Sequence, residues 1–358
     1  MRVREIAREA WRDVCAGAAW AVTSAVVVAV LLGSLLGFRA ASAAGEVRAA
    51  SAFLTSGAAT TVQRAEGRID GRGCDALADS EGVLASGALR RVDRGVVPAV
   101  LPGSTIPTYE VTSGMVGALG GAVAAGGAGL VLAPAVHDAL GLDPGDELVT
   151  FAGRRLPVAG VYDYPDDGRD PDLEYAALAP AADDGTAFDA CWVTVWPQRD
   201  DTVPMLRRTV LPSSGAEEEE RPTVGLLNSR LGETFVWSAG LPDWVPASAA
   251  IGGGAAIGWA AVARRRLALA SDRHVGVRRS EQMLGIVLQH LVWGVAGAAV
   301  AMATAVVAVR GLPPDDALPI VAASGVVAGL GLVGVLVGGG VGAASVRERA
   351  LHRYFRSR

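Results

Sequence analysis

The sequence predicts an α-helical membrane protein with four transmembrane helices and a large extracytoplasmic α+β domain between the first and second of them. Three observations support this prediction. Four apolar stretches are long enough to cross a bilayer. Arginines cluster in the segments that these stretches would place on one side of the membrane, and the long segment after the first stretch is acidic. The 358-residue chain is 51% hydrophobic and 19% charged, too apolar for an ordinary soluble domain and too charged for a protein lying wholly in lipid.

A hydrocarbon layer of about 30 Å needs roughly 20 apolar residues in a helix. The predicted transmembrane helices that meet this requirement are 16–38, 245–263, 286–309 and 317–344. A cleaved signal peptide is the alternative for the first of them, because Ala41-Ser42-Ala43 resembles a cleavage site. The apolar core is longer than a signal peptide needs, and Arg39 separates it from that site, so we favour a membrane anchor.

Arginine is unevenly distributed around these stretches, and positive residues are retained on the cytoplasmic side of a membrane. The segments 1–15, 264–285 and 345–358 carry 15 arginines against 6 acidic residues, about +9. The segment 39–244 carries 16 arginines against 29 acidic residues, about −13. We therefore expect both termini and the loop 264–285 in the cytoplasm, and the domain 39–244 outside.

The first fifteen residues alternate apolar and charged side chains at helical spacing, with Ile6 and Trp11 on the apolar side. This pattern predicts an amphipathic helix lying on the inner membrane surface, with its arginines toward lipid phosphates. A polar leader that only sets orientation is the alternative. In the last stretch, glycines recur four residues apart in two successive runs, a spacing that favours close helix packing within the chain over a dimer face. They are Gly325, Gly329, Gly334, Gly338 and Gly342.

The three cysteines are divided by this topology. Cys74 and Cys191 fall outside the membrane, where disulfides form, and Cys15 falls on the reducing side. We therefore expect a Cys74–Cys191 disulfide. Two buried free thiols are the alternative.

The segment 130–164 is the most readable part of the external domain. Helical spacing around Val136 is followed by the turn signal Pro144-Gly145. Glu147–Phe151 and Arg155–Tyr162 then flank a glycine-containing loop, which predicts a β-hairpin.

The stretch VLAPAVHDALGLDPGDELVTFAGRRLPVAGVYD resembles the MacB/FtsX-like (type VII) permease family of ABC transporters, as does the layout of one span, an external domain and three further spans. In the loop 264–285, Arg273, His274 and Gly276 occupy the place of that family's coupling turn, which docks on the ATPase. The resemblance implies a dimer of permeases, homodimeric or heterodimeric, with a separate cytoplasmic ATPase that binds ATP and Mg²⁺. An arginine-rich loop that only fixes topology is the alternative.

The sequence offers no catalytic site of its own. A P-loop needs a lysine, and this chain has none, so any ATPase is another chain. The four histidines are scattered, so we expect no metal site and no bound cofactor. The acidic run 163–174 could bind calcium, but its spacing is not that of an EF-hand and a solvated loop is favoured.

The expected function is therefore that of a permease subunit in a bacterial plasma membrane, driven by a partner ATPase and exporting a substrate or doing work outside. Its other expected partners are membrane lipids, and no nucleic acid. The alternative is an FtsX-like regulator, sensor or scaffold whose external domain binds a ligand or controls a cell-envelope partner without transport. A membrane enzyme is disfavoured because the sequence lacks a catalytic constellation.

Overall fold

The computed structural model describes residues 3–17, 19–119, 122–123, 129–181, 185–212, 221–238 and 240–347. The chain divides into two compact units: Met1–Ala49 with Trp237–Arg358, and Ala50–Val236. The helices are α1 Val3–Cys15, α2 Ala21–Thr55, α3 Gly71–Asp75, α4 Met115–Ala118, α5 Pro134–Leu140, α6 Thr202–Arg207, α7 Trp244–Arg264, α8 Arg266–His274, α9 Arg279–Ala308 and α10 Pro314–Ser345. The strands are β1 Thr60–Ile69, β2 Val83–Arg91, β3 Thr108–Val111, β4 Ala122–Val123, β5 Leu130–Leu132, β6 Glu147–Val149, β7 Arg155–Val161, β8 Ala177–Pro180, β9 Phe188–Val195 and β10 Thr223–Leu226.

Within the described residues, four helices are long and apolar enough to cross a membrane: α2, α7, α9 and α10. Helix α2 differs most from the predicted stretch 16–38, because it begins at Ala21 and continues for 35 residues to Thr55. The residues after Phe38 are rich in alanine and contain no proline, so nothing breaks the helix until Gly57, at φ +79°. At 1.5 Å per residue, α2 is about 50 Å long, well beyond the thickness of a hydrocarbon layer.

Glycines bring α7 and α10 into backbone contact. A Cβ on Gly338 of α10 would lie 1.9 Å from the carbonyl oxygen of Ala255, and one on Gly334 would lie 2.3 Å from that of Ile251. Glycine ridges of this kind let helices pack closely in lipid. The predicted packing within the chain is confirmed for these two glycines and for Gly342, whereas Gly325 and Gly329 meet no atom within 4 Å.

The second unit is built on one mixed sheet of order β10-β1-β9-β2-β3-β8-β5-β7-β4, with β6 paired to β7. The predicted hairpin is confirmed, because Glu147 pairs with Pro157 and Val149 with Arg155 in antiparallel register. Gly153, at φ +76°, supplies the turn between the two strands. The domain is thus α+β, as predicted.

Alternation along β9 separates two cores. Ala190 and Trp192 belong to the larger core, which also holds Tyr109 and Tyr162. Cys191 belongs to the smaller core on the other face, together with Cys74 and Leu206. Successive side chains of a strand point to opposite faces, so the central strand contributes to both cores.

Candidate functional site

The turn between α8 and α9 presents an apolar tip. Val275 is 78% exposed, and Gly276 has φ +97°, a conformation that residues with a Cβ adopt only with strain. A Cβ on Gly276 would meet no atom within 4 Å, so backbone conformation rather than space requires glycine here. Gly276 makes the bend at the predicted position, and its contact with an ATPase stays a prediction.

Arg273 does not face outward with this tip, although the family resemblance placed it in a turn that docks on the ATPase. Its Nη2 donates to the carbonyl oxygen of Ala343 at 3.0 Å, and its Nη1 donates to that of Val346. The last carbonyls of a helix lack partners within the helix, and a cation there is favoured by the helix dipole. The guanidinium of Arg273 therefore caps α10. His274, the last residue of α8, is exposed.

Gln282 completes this connection at the start of α9. Its Oε1 accepts a hydrogen bond from Nε of Arg273 at 2.6 Å, and its Nε2 donates to the carbonyl oxygen of Leu269 at 2.8 Å. Gln282 is buried, where unmatched amide groups would cost stability. The turn is thus tied by side chains both to α9 and to the end of α10.

Helix α1 is held against the same region. Ile6 and Ala10 are buried, and the Ile6 side chain lies beside Gly285 of α9, whereas Trp11 is 58% exposed. The sequence assigned both Ile6 and Trp11 to the lipid interface. In the structure Ile6 contacts protein, because its side chain lies against α9 beside Gly285, and Trp11 lies on the open side.

A closed cycle of hydrogen bonds fixes the end of α1. Asp13 accepts from Arg265 and from Gln289, both at 2.9 Å, and Arg265 donates to Gln289 at 2.6 Å. Burial raises the pKa of the nearby Asp272 carboxyl, and Arg265 opposes that shift. Helix α1, helix α9 and the junction of α7 with α8 thus meet around one part-buried charge pair.

In the other unit, the last turn of α2 is enclosed by aromatic rings. Phe53 is 2% exposed, and its ring centroid lies 5.5 Å from that of Phe235 and 6.1 Å from that of Trp196. Two side-chain hydrogen bonds also hold the residues at and just after the end of α2. Arg169 Nη2 donates to the carbonyl oxygen of Thr55 at 2.5 Å, and Asn228 Nδ2 donates to that of Ser56 at 3.0 Å. The end of α2 is therefore fixed within the sheet domain.

The predicted cysteine pair and acidic run lie in this same unit. Cys74 of α3 and Cys191 of β9 are joined by a disulfide, and Cys15 is free and exposed. In the acidic run, Asp167 pairs with Arg169 at 2.9 Å, and Asp170 pairs with Arg64. Among the described residues no cluster has the make-up of a metal site.

Sequence reasoning missed the cap of Arg273 on α10 and the cycle of Asp13, Arg265 and Gln289. Both join residues more than 60 positions apart in the chain, so no local pattern reveals them. One signal was present. Gln282 and Gln289 are seven residues apart on either side of the apolar run 283–288, and polar side chains at helical spacing beside such a run indicate partners on one face.

Comparison with known proteins finds no protein-family model and no curated protein that matches the chain. Among solved structures, the chain is similar to the periplasmic region of MacB from Actinobacillus actinomycetemcomitans, with a TM-score of 0.32 and 12% sequence identity. The similarity covers 42% of this chain and 81% of that one. A similarity at this level establishes no shared activity or partner.

Proposed function

We propose that this chain is the membrane subunit of an ABC transporter complex, driven by a separate ATPase and transmitting motion to its extracytoplasmic domain. The observation that carries the proposal is the turn after α8. It exposes Val275 at a glycine bend and is tied through Arg273 to α10 and through Gln282 to α9. A protruding tip fixed to two long helices suits a contact through which a partner moves those helices.

The positions of three tryptophans support membrane–water interfaces at the start of α2 and at the start of α7. Tryptophan favours the two membrane–water interfaces, where its ring is apolar and its N–H is polar. Trp20 lies at the start of α2 with the Arg264 guanidinium 5.9 Å from its ring centroid, next to the predicted cytoplasmic side. Trp237 and Trp244, before and at the start of α7, are 53% and 70% exposed. The proposed orientation places both termini and the α8–α9 turn in the cytoplasm.

Helix α2 offers the route to the external domain. It is one helix from Ala21 to Thr55, and the aromatic rings around Phe53 hold its end. Arg48, about two turns before that end, donates to the carbonyl oxygens of Ala308, the last residue of α9, and of Arg310 just after it. In the proposed mechanism, displacement of α9 by the partner is passed to α2 by this cap and reaches the external domain through the chain of α2.

In this proposal ATP is hydrolysed by the partner chain and not by this one. With no lysine in the chain, the standard phosphate-binding loop is impossible here, so ATP and Mg²⁺ bind to the partner. Two arrangements of the helix bundle, biased by the state of the ATPase, are then sufficient to move the external domain without a polar path through the membrane. The same movement of the external domain serves export of a substrate or mechanical work on an envelope partner.

The proposal predicts that an ATPase subunit accompanies the protein in native membranes. A tagged full-length chain, extracted in mild detergent after brief cross-linking, should retain a chain with a lysine-containing phosphate-binding loop, identified by mass spectrometry. An unrelated tagged membrane protein of similar abundance is the control. Recovery of envelope proteins without any nucleotide-binding subunit would favour the sensor or scaffold instead.

A further inference from the structure

One face of the sheet carries a groove of about 270 Å³. The groove has no role in the proposed transmission of motion. A row of paired residues from four neighbouring strands crosses this face: Thr223, Arg64, Ala190 and Leu89. Ala190 has a short side chain between the longer ones of Arg64 and Leu89, so the surface dips there. Sheet positions hold the groove rigidly, which favours a preformed binding site over an adaptable one.

Tyr109 forms one end of this groove. It pairs with Arg91 in the register of β2 and β3, and it is only 5% exposed. Its hydroxyl has no hydrogen-bond partner among the residues that the structure describes. The hydroxyl is not one of the buried polar atoms without a partner, so it is open to the groove that Tyr109 lines and is free to donate a hydrogen bond to a ligand there.

Charged residues of both signs line the groove together with Tyr109: Arg64, Arg91, Arg221, Glu66, Asp172 and Asp189. Burial and the carboxylate of Asp172 raise the pKa of Tyr109, and the guanidinium of Arg91 lowers it, so a cation and an anion flank a phenol that stays protonated at neutral pH. Asp189 is already satisfied, because it accepts from the main-chain N–H groups of Gly67 and Arg91. Within the described part of the chain, the side chains of Arg91 and Asp172 form no hydrogen bond or ion pair.

We propose that this groove binds a zwitterionic ligand of one or two amino acids, a free amino acid or a dipeptide. The carboxylate of the ligand lies at Arg91 and the Tyr109 hydroxyl, which donate, and its ammonium lies at Asp172, which accepts. The volume is just below the range of about 300–1,000 Å³ of drug-sized sites, so the ligand is small. The proposal does not depend on a partner ATPase.

Isothermal titration calorimetry of the full-length protein in detergent tests this assignment, with alanine and alanyl-alanine as probes at low ionic strength. For a ligand of so few atoms we expect a Kd of about 1 mM. N-acetyl-alanyl-alanine lacks the ammonium, and alanyl-alanine amide lacks the carboxylate. Each should bind at least about tenfold more weakly if both charges are recognised.

Three variants locate the site. Arg91→Gln and Asp172→Asn should each raise the Kd about tenfold. Tyr109→Phe should raise it about threefold to tenfold, because it removes one hydrogen bond and keeps the ring. Arg154→Gln, an equally exposed arginine of the same unit outside the groove, should leave the Kd unchanged.

Unchanged binding in the groove variants would place the site elsewhere, and equal binding of the acetylated or amidated dipeptide would rule out recognition of a zwitterion. No heat of binding with either probe, in a protein whose melting temperature shows it folded, overturns the proposal. Because no ATPase is present in this assay, failure here leaves the proposed coupling function standing. Loss of that function would equally leave the ligand site standing.

Discussion

This chain is expected to stimulate ATP hydrolysis by its partner ATPase. Replacing Gly276 by valine is expected to reduce that stimulation about fivefold or more. Valine at φ +97° costs about 1–3 kcal/mol, so the backbone shifts away from this conformation and the exposed Val275 tip changes position. The spans and their flanking arginines are untouched, so membrane insertion should be normal. The measurement is ATPase activity of the purified complex in detergent or nanodiscs, compared with the ATPase alone.

Gly311 provides a matched control. It lies in the short turn between α9 and α10 at φ +82°, and a Cβ there also meets no atom within 4 Å. Gly311→Val therefore introduces similar strain at the opposite end of α9 and should leave the stimulation near that of the wild type. Equal loss in the two variants would mean a general effect of strain. Full activity in Gly276→Val would exclude the turn as the coupling site.

Replacing Gly338 by alanine is expected to destabilise the helical unit by about 1–3 kcal/mol or more, the usual range for overpacking. The added methyl group would lie 1.9 Å from the carbonyl oxygen of Ala255, so α7 and α10 must separate. The contact is with main-chain atoms, which cannot rotate away as a side chain does. A fall in the melting temperature of the detergent-solubilised protein, or poor expression in membranes, is the expected result.

Gly340→Ala is the corresponding control, two residues along the same helix with no atom within 4 Å of a Cβ. There the higher helix propensity of alanine, up to about 1 kcal/mol, makes the change neutral or slightly stabilising. The two substitutions are chemically identical, and only Gly338→Ala should lower the melting temperature. If Gly338→Ala is as stable as Gly340→Ala, the backbone contact of α7 with α10 does not form.

Much of this fold could be predicted from short sequence patterns, because several of its features depend only on residues that are close together in the chain. The hairpin at Gly153 follows from alternating inward and outward residues on both sides of a glycine-containing loop. The bend at Gly276 has a positive φ, which glycine adopts without strain. The apolar lengths of the four long helices follow from composition alone. Each of these features is decided by residues within a few positions of one another.

The remaining features depend on contacts between distant residues. The sequence marked Arg273 as an outward coupling residue, but the unpaired carbonyls of Ala343 and Val346 draw its guanidinium to α10. Arg273→Glu would set a carboxylate against those oxygens and disturb the bundle, so Gly276 is the cleaner test. Likewise, the sequence after Phe38 is compatible with a continued helix, but the hydrogen bonds that hold its end come from Arg169 and Asn228, far away in the chain.

The central claim is that the α8–α9 turn and the sheet domain lie on opposite sides of a membrane. Single cysteines test it directly after Cys15 is replaced by serine, with the Cys74–Cys191 disulfide retained. Positions 103 and 275 suit labelling, because a Cβ on Gly103 meets no atom within 4 Å and Val275 is 78% exposed. In intact cells a membrane-impermeant maleimide should label Gly103→Cys and not Val275→Cys, which should react only after permeabilisation. Labelling of Val275→Cys from outside would contradict the account.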